Sequence, residues 1–553
     1  MDGVRPRPAE DESSRKMEGL HQLEIIIMLL AVVLALTTIA QRIGIPYPIL
    51  LVLGGLVLGL VPGLPRVTLH PDLVFLVFLP PILWAAAYFT SFREFRRNLR
   101  PISLLAIGLV LATTAGVAVA AHTLLPGIGW AEAIALGAIV SPPDAVSATA
   151  IGKRLRIPRR VVTILEGESL VNDATALVLY RAAVGAAMSG SFALGHTLFE
   201  FVFAALAGVV IGIGVAWITR WTLCAMEDGF SQIGVTLLAP YIAWVCGESV
   251  HASAVLACVA GGLYLRQSFS GAVSPATRLQ ARAVWDLLIF LLNGVIFILI
   301  GLELGVLRDA MPAGQVRPAL IAGLVVSMTA IVVRFAWVPL VALIPRWVSA
   351  KLRARDPMPP WAGIFLVSWT GMRGIVTLAA ALALPVSTTA GAPFPFRAEI
   401  ILISFTVILV TLVVQGLSLP PIIRLLRFQE EDDLKQEEML AREHAATAAL
   451  ARLDQVATET WAVMEQVERV RLRYLRRLER LSKASLLDED SGSDTASFQR
   501  LQHEAFTAER RALIGLRNDG TISDDVLHHL EQELDVASLH LGVGERRMGR
   551  ARS

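Results

Sequence analysis

The chain has 553 residues, 55% of them apolar and only 17% charged, with a net charge of +2 at pH 7. Apolar runs recur from about Leu23 to Leu426, which excludes a water-soluble globular enzyme and leaves a polytopic helical membrane protein. The near-neutral balance gives no ground for a nucleic-acid partner.

Residues 1–22 form a hydrophilic leader containing Glu10-Asp11-Glu12. The run from Leu23 to Ala40 follows that acidic leader and has no small-residue cleavage site after it, so it is read as a membrane helix and not as a signal peptide. About thirteen spans are predicted, at 23–40, 46–61, 72–90, 101–125, 130–152, 161–188, 196–222, 231–248, 250–266, 283–307, 317–345, 359–386 and 398–426. Loop charge tests the order of these spans, because Lys and Arg concentrate in short cytoplasmic loops. Arg93, Arg96, Arg97 and Arg100 follow span 3, and Lys153, Arg154, Arg156, Arg159 and Arg160 follow span 5. Arg266, Arg278 and Arg282 follow span 9, and Arg346, Lys351, Arg353 and Arg355 follow span 11. The loops after spans 4, 6, 8 and 12 hold at most one such residue each. Odd-numbered loops are therefore assigned to the cytoplasm, with the leader outside and the C-terminal tail inside.

Chemistry concentrates in spans 5 and 6. An ionised carboxylate near a bilayer centre costs roughly 2.5–3.5 kcal/mol on insertion scales, so it is expected to face a partner or a water-filled cavity. Pro142 and Pro143 remove two backbone donors in mid-span, so the helix of span 5 breaks beside Asp144 and frees carbonyls there. In span 6, Ser169, Asn172 and Asp173 share one helical face, and Glu168 lies four residues before Asn172. Carboxylate, amide and hydroxyl oxygens in that arrangement suit a hard monovalent cation. A plain proline kink and a structural carboxylate are the bland readings, and two adjacent spans carrying carboxylates weigh against both.

The cysteines Cys224, Cys246 and Cys258 have no metal-type spacing and read as small packing residues. Glu303 ends span 10 and Arg334 lies in span 11; each is a candidate for reaching an interface by snorkelling, with Arg334 kept as an accessory site residue. Span 12 places Arg373 among Gly371 and Gly374 at mid-membrane, where a charge needs a partner, and Glu168 is the partner expected. Spans 5 and 12 are seven apart, an odd shift that inverts orientation. Two discontinuous helices so placed predict inverted repeats over spans 1–6 and 8–13, linked by span 7.

After Arg427 the composition turns charged, starting Glu430-Glu431-Asp432-Asp433, so residues 428–553 read as a separate helical tail. A long amphipathic helix is expected over Leu450 to Leu481, with Arg471, Arg473, Arg476, Arg477 and Arg480 near its end. A break over Asp488–Ser497, a helix to about Leu516, a turn at Asn518-Asp519-Gly520 and a last helix capped by Thr521, with Asp524 three residues on, complete the tail.

With these residues set out, the chain resembles the monovalent cation:proton antiporters that include the bacterial and animal sodium/proton exchangers. The resemblance covers about residues 20 to 427. It rests on Phe78-Leu79-Pro80-Pro81-Ile82-Leu83, on Pro143-Asp144-Ala145-Val146, on Gly167-Glu168-Ser169 with Asn172-Asp173, on Phe297 to Leu304, and on Gly371-Met372-Arg373-Gly374. It implies that Asp173 binds ion and proton, with Asn172 its neighbour, Ser169 and Asp144 near the ion, and Glu168 paired with Arg373. It also implies a homodimer in which a six-helix core moves against a dimerisation domain, and, from the Asn before the Asp, electroneutral exchange. Two departures stand out: many relatives read Asp-Pro-Val-Ala where this chain has Asp144-Ala145-Val146-Ser147, and some carry an acidic residue near Ala85.

The expected function is secondary active exchange of a monovalent cation, sodium first and potassium or lithium as alternatives, for protons across the cell membrane. One carboxylate, Asp173, carries either passenger and never both, and alternating access couples the two fluxes. No cofactor is implied, and no Gly-rich phosphate loop precedes a Lys-Ser or Lys-Thr pair. A cation channel or a membrane sensor acting through its tail is the alternative outside this class. An intramembrane hydrolase fits poorly, because no His-Glu-x-x-His or Gly-x-Ser-x-Gly motif occurs and His122, His196 and His251 are scattered.

Overall fold

The computed structural model describes residues 10–61, 74–144, 157–190, 194–310, 313–388, 391–428, 432–459, 461–486, 508–509, 511–516, 519 and 530. The chain divides into two compact units at the Glu430–Glu431 boundary. Among the described residues the secondary structure is helical, apart from one isolated bridge between Ser387 and Pro393.

In the first unit the described helices of eight residues or more are, in chain order, α1 Glu10–Ile43, α2 Tyr47–Gly59, α3 Val74–Phe89, α4 Leu99–Leu124, α5 Trp130–Val140, α6 Arg159–Ser189 and α7 Leu194–Ala225. They continue as α8 Gly229–Ser249, α9 Ala254–Ala272, α10 Pro275–Ala310, α11 Ala313–Val348, α12 Trp361–Trp369, α13 Ile375–Leu382 and α14 Arg397–Leu426. A described helix stands at every predicted span. By length and apolarity, six of them suffice alone to cross a membrane, namely α4, α7, α8, α10, α11 and α14. The long α6 falls outside that group because it carries Glu166, Glu168, Asp173 and Arg181 among its 31 residues.

Local chemistry sets the boundaries. Gly44, at φ +78°, ends α1 and Pro46 leads into α2. Gly190 closes α6 in the left-handed region at φ +70°. Asp228 caps α8 by accepting from the Ser231 N–H at 2.7 Å, and Ser253 caps α9 by accepting from the Leu256 N–H. Cys258 is buried as expected, whereas Cys224 and Cys246 are exposed on the chain and pack little.

Packing sorts the helices into two groups. The first joins α1, α2, α3, α7, α8, α9 and α10; the second joins α4, α5, α6, α11, α12, α13 and α14. In the first group α2 and α10 approach backbone to backbone: a methyl placed on Gly301 would lie 2.2 Å from the Val52 carbonyl oxygen, and one on Gly55 2.2 Å from that of Ile298. Only glycine fits there.

The second unit contains α15 Asp432–Val456 and α16 Met464–Leu486. The single long helix expected over 450–481 is thus broken. Thr458 Oγ1 donates to the Gln455 carbonyl at 2.7 Å, and the Ala462 N–H bonds to Glu459, so turn bonds replace the helical ladder. The two helices are tied by Arg471 Nη2 to Asp454 Oδ1 at 3.1 Å. Residues 511–516 are helical as expected, and Asp519 lies in a turn. The Asp488–Ser497 break, Asn518, Gly520 and the helix begun at Thr521 with Asp524 lie outside the described residues.

Candidate ion-binding site

The helix of span 5 ends at Val140, where the Ser141 N–H makes the last helical bond, to the Gly137 carbonyl, and Pro142-Pro143-Asp144 continues without helical bonds. The second half of that span, 145–152, lies outside the described residues. Span 12 is likewise interrupted, α12 stopping at Trp369 and α13 starting at Ile375. The two interruptions are bonded to each other. The Asp144 N–H donates to the Met372 carbonyl at 2.7 Å, and Arg373 Nε donates to the Val140 carbonyl at 3.0 Å. Free backbone groups at membrane depth are thus satisfied inside protein.

Unbroken α6 runs past this junction. Its Asn172, fully buried, donates from Nδ2 to the Pro143 carbonyl at 2.9 Å and so holds the proline segment in place. Asp173 is 6% exposed, and Ser169 and Asp173 line the same cavity as Pro142, Pro143 and Asp144. Gly374 gives the Asp144 carboxylate its space, since a methyl there would lie 2.2 Å from Asp144 Oδ2. The structure therefore brings together Asp173, Ser169, Asp144 and the two prolines, with Asn172 as the brace behind them.

The pairing expected for Glu168 is corrected. Glu168 is held in a two-pronged ion pair by Arg334, at 2.5 Å from Nη1 and 2.8 Å from Nη2, both side chains being 1% exposed. Arg373 spends its guanidinium on the carbonyls of Val140 and Gly371, and its N–H donates to Thr411 Oγ1 at 3.1 Å. The reason is geometric: Arg334 projects from continuous α11 toward α6, while Arg373 sits inside a gap whose carbonyls have lost their helical donors. Arg334 does not snorkel, and Glu303, 4% exposed, is buried as well.

The cavity has a volume of about 640 Å³ and lies between the two helix groups. One wall carries Pro142, Pro143, Asp144, Glu166, Ser169, Asp173 and Thr377; the other carries Tyr47, Leu79, Ile82, Leu83, Asp286, Ile289, Phe290 and Asn293. Sequence reasoning missed Thr377 and Asn293, whose side-chain oxygens are buried and have no hydrogen-bond partner among the described residues. Periodicity held the signal for the latter, because Asp286, Ile289, Phe290 and Asn293 repeat at i, i+3, i+4 and i+7. No group of three His, Cys, Asp or Glu suited to a resident metal occurs among the described residues. What remains is a cavity whose lining carries four carboxylates, Asp144, Glu166, Asp173 and Asp286, among apolar side chains, suited to a small cation or a proton.

The family model described as sodium/hydrogen exchanger, transmembrane, matches residues 27–425. The chain belongs to the sodium/hydrogen exchanger family. Its relatives include an uncharacterized Na(+)/H(+) exchanger of Mycobacterium tuberculosis, 35% identical, the match covering 94% of this chain and 96% of that one. The sodium, potassium, lithium and rubidium/H(+) antiporter of Bacillus subtilis is 31% identical over 72% of this chain and 61% of its own. The sodium proton antiporter MjNhaP1 of Methanocaldococcus jannaschii has a similar fold, with a TM-score of 0.57 at 20% identity, over 72% of this chain and 99% of that one. Membership makes this a multi-pass monovalent cation:proton antiporter.

Proposed function

We propose that the chain exchanges sodium for protons electroneutrally, with Asp173 carrying one cation or one proton in turn. The observation that carries the reading is the position of Asp173: buried, on an unbroken helix, facing a cavity beside Asp144 and two interrupted helices. A carboxylate bound by a proton has lost the charge that attracts a cation, so the two ligands exclude each other. If only the loaded site crosses, a proton gradient drives the cation the opposite way.

The packing groups support a division of labour. The group containing α4–α6 and α11–α14 is the moving core, and the group containing α1–α3 and α7–α10 is the frame. Glu166, Asp286 and Arg424 line the cavity near helix ends that loop charge assigns to the cytoplasm, so this conformation is open inward, with the leader outside and the tail inside. Inverted repeats over spans 1–6 and 8–13 are the reading that accounts for two interrupted helices seven spans apart. Apolar α7, whose hydrophobic window is the least buried of the six long ones, is the candidate contact for a homodimer. Potassium is the second reading, favoured by the broad cation range in the name of the Bacillus subtilis relative.

Proteoliposomes with a preset pH gradient and a pH dye test the proposal. Sodium should dissipate the gradient, choline should not, and clamping the membrane potential should leave the rate unchanged. Asp173→Asn should abolish the response in a folded protein; retained exchange in that variant would overturn the assignment.

A further inference from the structure

Two stripes face each other across the cavity with the same spacing. On α6 the lining residues are Glu166, Ser169, Leu170 and Asp173; on α10 they are Asp286, Ile289, Phe290 and Asn293. Each runs i, i+3, i+4, i+7, one face of a helix. Each begins with an acid and reaches its last residue two turns, about 10 Å, further along the helix. On α6 that last residue is the proposed ion carrier.

Asn293 is 2% exposed and its Oδ1 has no hydrogen-bond partner among the described residues. Among the lining residues of the frame wall it is the one polar side chain that is fully buried; Tyr47 is half-buried and Asp286 exposed. A buried amide without a partner is costly and calls for an explanation. Nor is it there to join helices. The next residue, Gly294, lets the Val33 side chain of α1 pack close, and the glycine contacts with α2 hold another face of α10. Asn293 lines the cavity from a helix fixed from behind, its Oδ1 buried and unpartnered among the described residues.

We propose that Asn293 is a cation-positioning residue, its carbonyl oxygen completing from the frame side the oxygen shell that Asp173 and Ser169 begin from the core side. This deepens the proposed function and rests on Asp173 as carrier. A small cation gives up hydration water only where fixed oxygens replace it, and Asp173, Ser169 and Asp144 all stand on one wall. A hard cation accepts an amide carbonyl as readily as a hydroxyl. Because the oxygen belongs to the frame, it favours the cation while the core is in this position, and sodium, the more strongly hydrated ion, depends on it more than potassium does.

The test is Asn293→Leu, a near-isosteric change that deletes the oxygen, in full-length protein in proteoliposomes, with Asn293→Asp as the conservative variant that keeps one. The KM for sodium should rise about tenfold in Asn293→Leu with Vmax retained, the KM for potassium should rise less, and Asn293→Asp should restore sodium affinity. The Tm of Asn293→Leu should equal or exceed that of the parent, since an unpaired buried amide has been removed. An unchanged sodium KM would overturn the proposal, and so would a lower Tm or loss of folding, which would make the amide structural. Asp173→Asn run in parallel separates the levels. If that variant still exchanges, the carrier assignment has failed; if it is inactive while Asn293→Leu keeps the parent KM, the positioning role alone has failed.

Discussion

At Ser141–Asp144 the helix stops because Pro142 and Pro143 have no N–H to give, whereas at Thr370–Gly374 every residue keeps its donor and the chain departs from helix because glycine permits it. The first break is made by missing bonds and the second by missing side chains. They also stabilise themselves differently. The proline segment is braced from outside, by Asn172 on α6, while the glycine segment carries its own cation, Arg373, into the gap. Sequence-local rigidity on one side thus meets sequence-local permissiveness on the other, and the Asp144–Met372 bond joins them.

The largest effect that sharpens this contrast concerns the two arginines near the breaks. Arg334→Ala strands Glu168 as a buried charge and should lower stability by about 3–5 kcal/mol. Arg373→Ala leaves carbonyls unpaired but no carboxylate, and should cost about 1–3 kcal/mol. Thermal unfolding in detergent gives both values, and a larger loss for Arg373 would return Glu168 to the partner first expected from the sequence. Gly374→Ala comes next: its methyl collides with Asp144, so about 1–3 kcal/mol of strain is expected and exchange should fall at least tenfold in flux assays. Pro143→Ala should be milder, within about 1 kcal/mol, because Ala adopts the same backbone angles and loses mainly the stiffness of the unfolded chain. Equal effects of the two substitutions would show that the breaks are not different in kind.

The smallest effect serves as a baseline at an ordinary helix start outside the membrane. The Ser231 N–H holds the Asp228 carboxyl below the usual carboxylate range. A depressed folded-state pKa stabilises above the unfolded value and the benefit is lost as pH falls through the folded one. Asp228→Ala should therefore lower Tm slightly at pH 7 and not at all once both forms are protonated. A Tm difference that persisted at low pH would mean that the side chain acts other than as a charged cap.

Span positions were legible because apolar runs and Gly/Pro punctuation act locally, and the two breaks were legible because proline and glycine act on their own backbone. The site's α6 face was legible for the same reason: Ser169, Asn172 and Asp173 share it by spacing alone. Which arginine meets Glu168 was not, since that depends on how α11 lies against α6. A hint was available, because Arg334 lies near the middle of its predicted span, too deep for its side chain to reach either surface. Asn293 was overlooked because an uncharged amide in an apolar run raises no alarm until a cavity is seen beside it. The tail helix was drawn too long, its apolar period continuing across a stretch that Thr458 turns aside.

The glycine contact between α2 and α10 has a mechanical consequence. Where side chains interdigitate, helices can slide by exchanging rotamers; where backbone lies on backbone, at Gly55 and Gly301, there is nothing to exchange. That pair is a welded beam rather than a bearing, and the proposed movement of one helix group against the other has to be taken up elsewhere than between α2 and α10. Asn293 stands on that beam, across the cavity from the α6 face that bears Asp173.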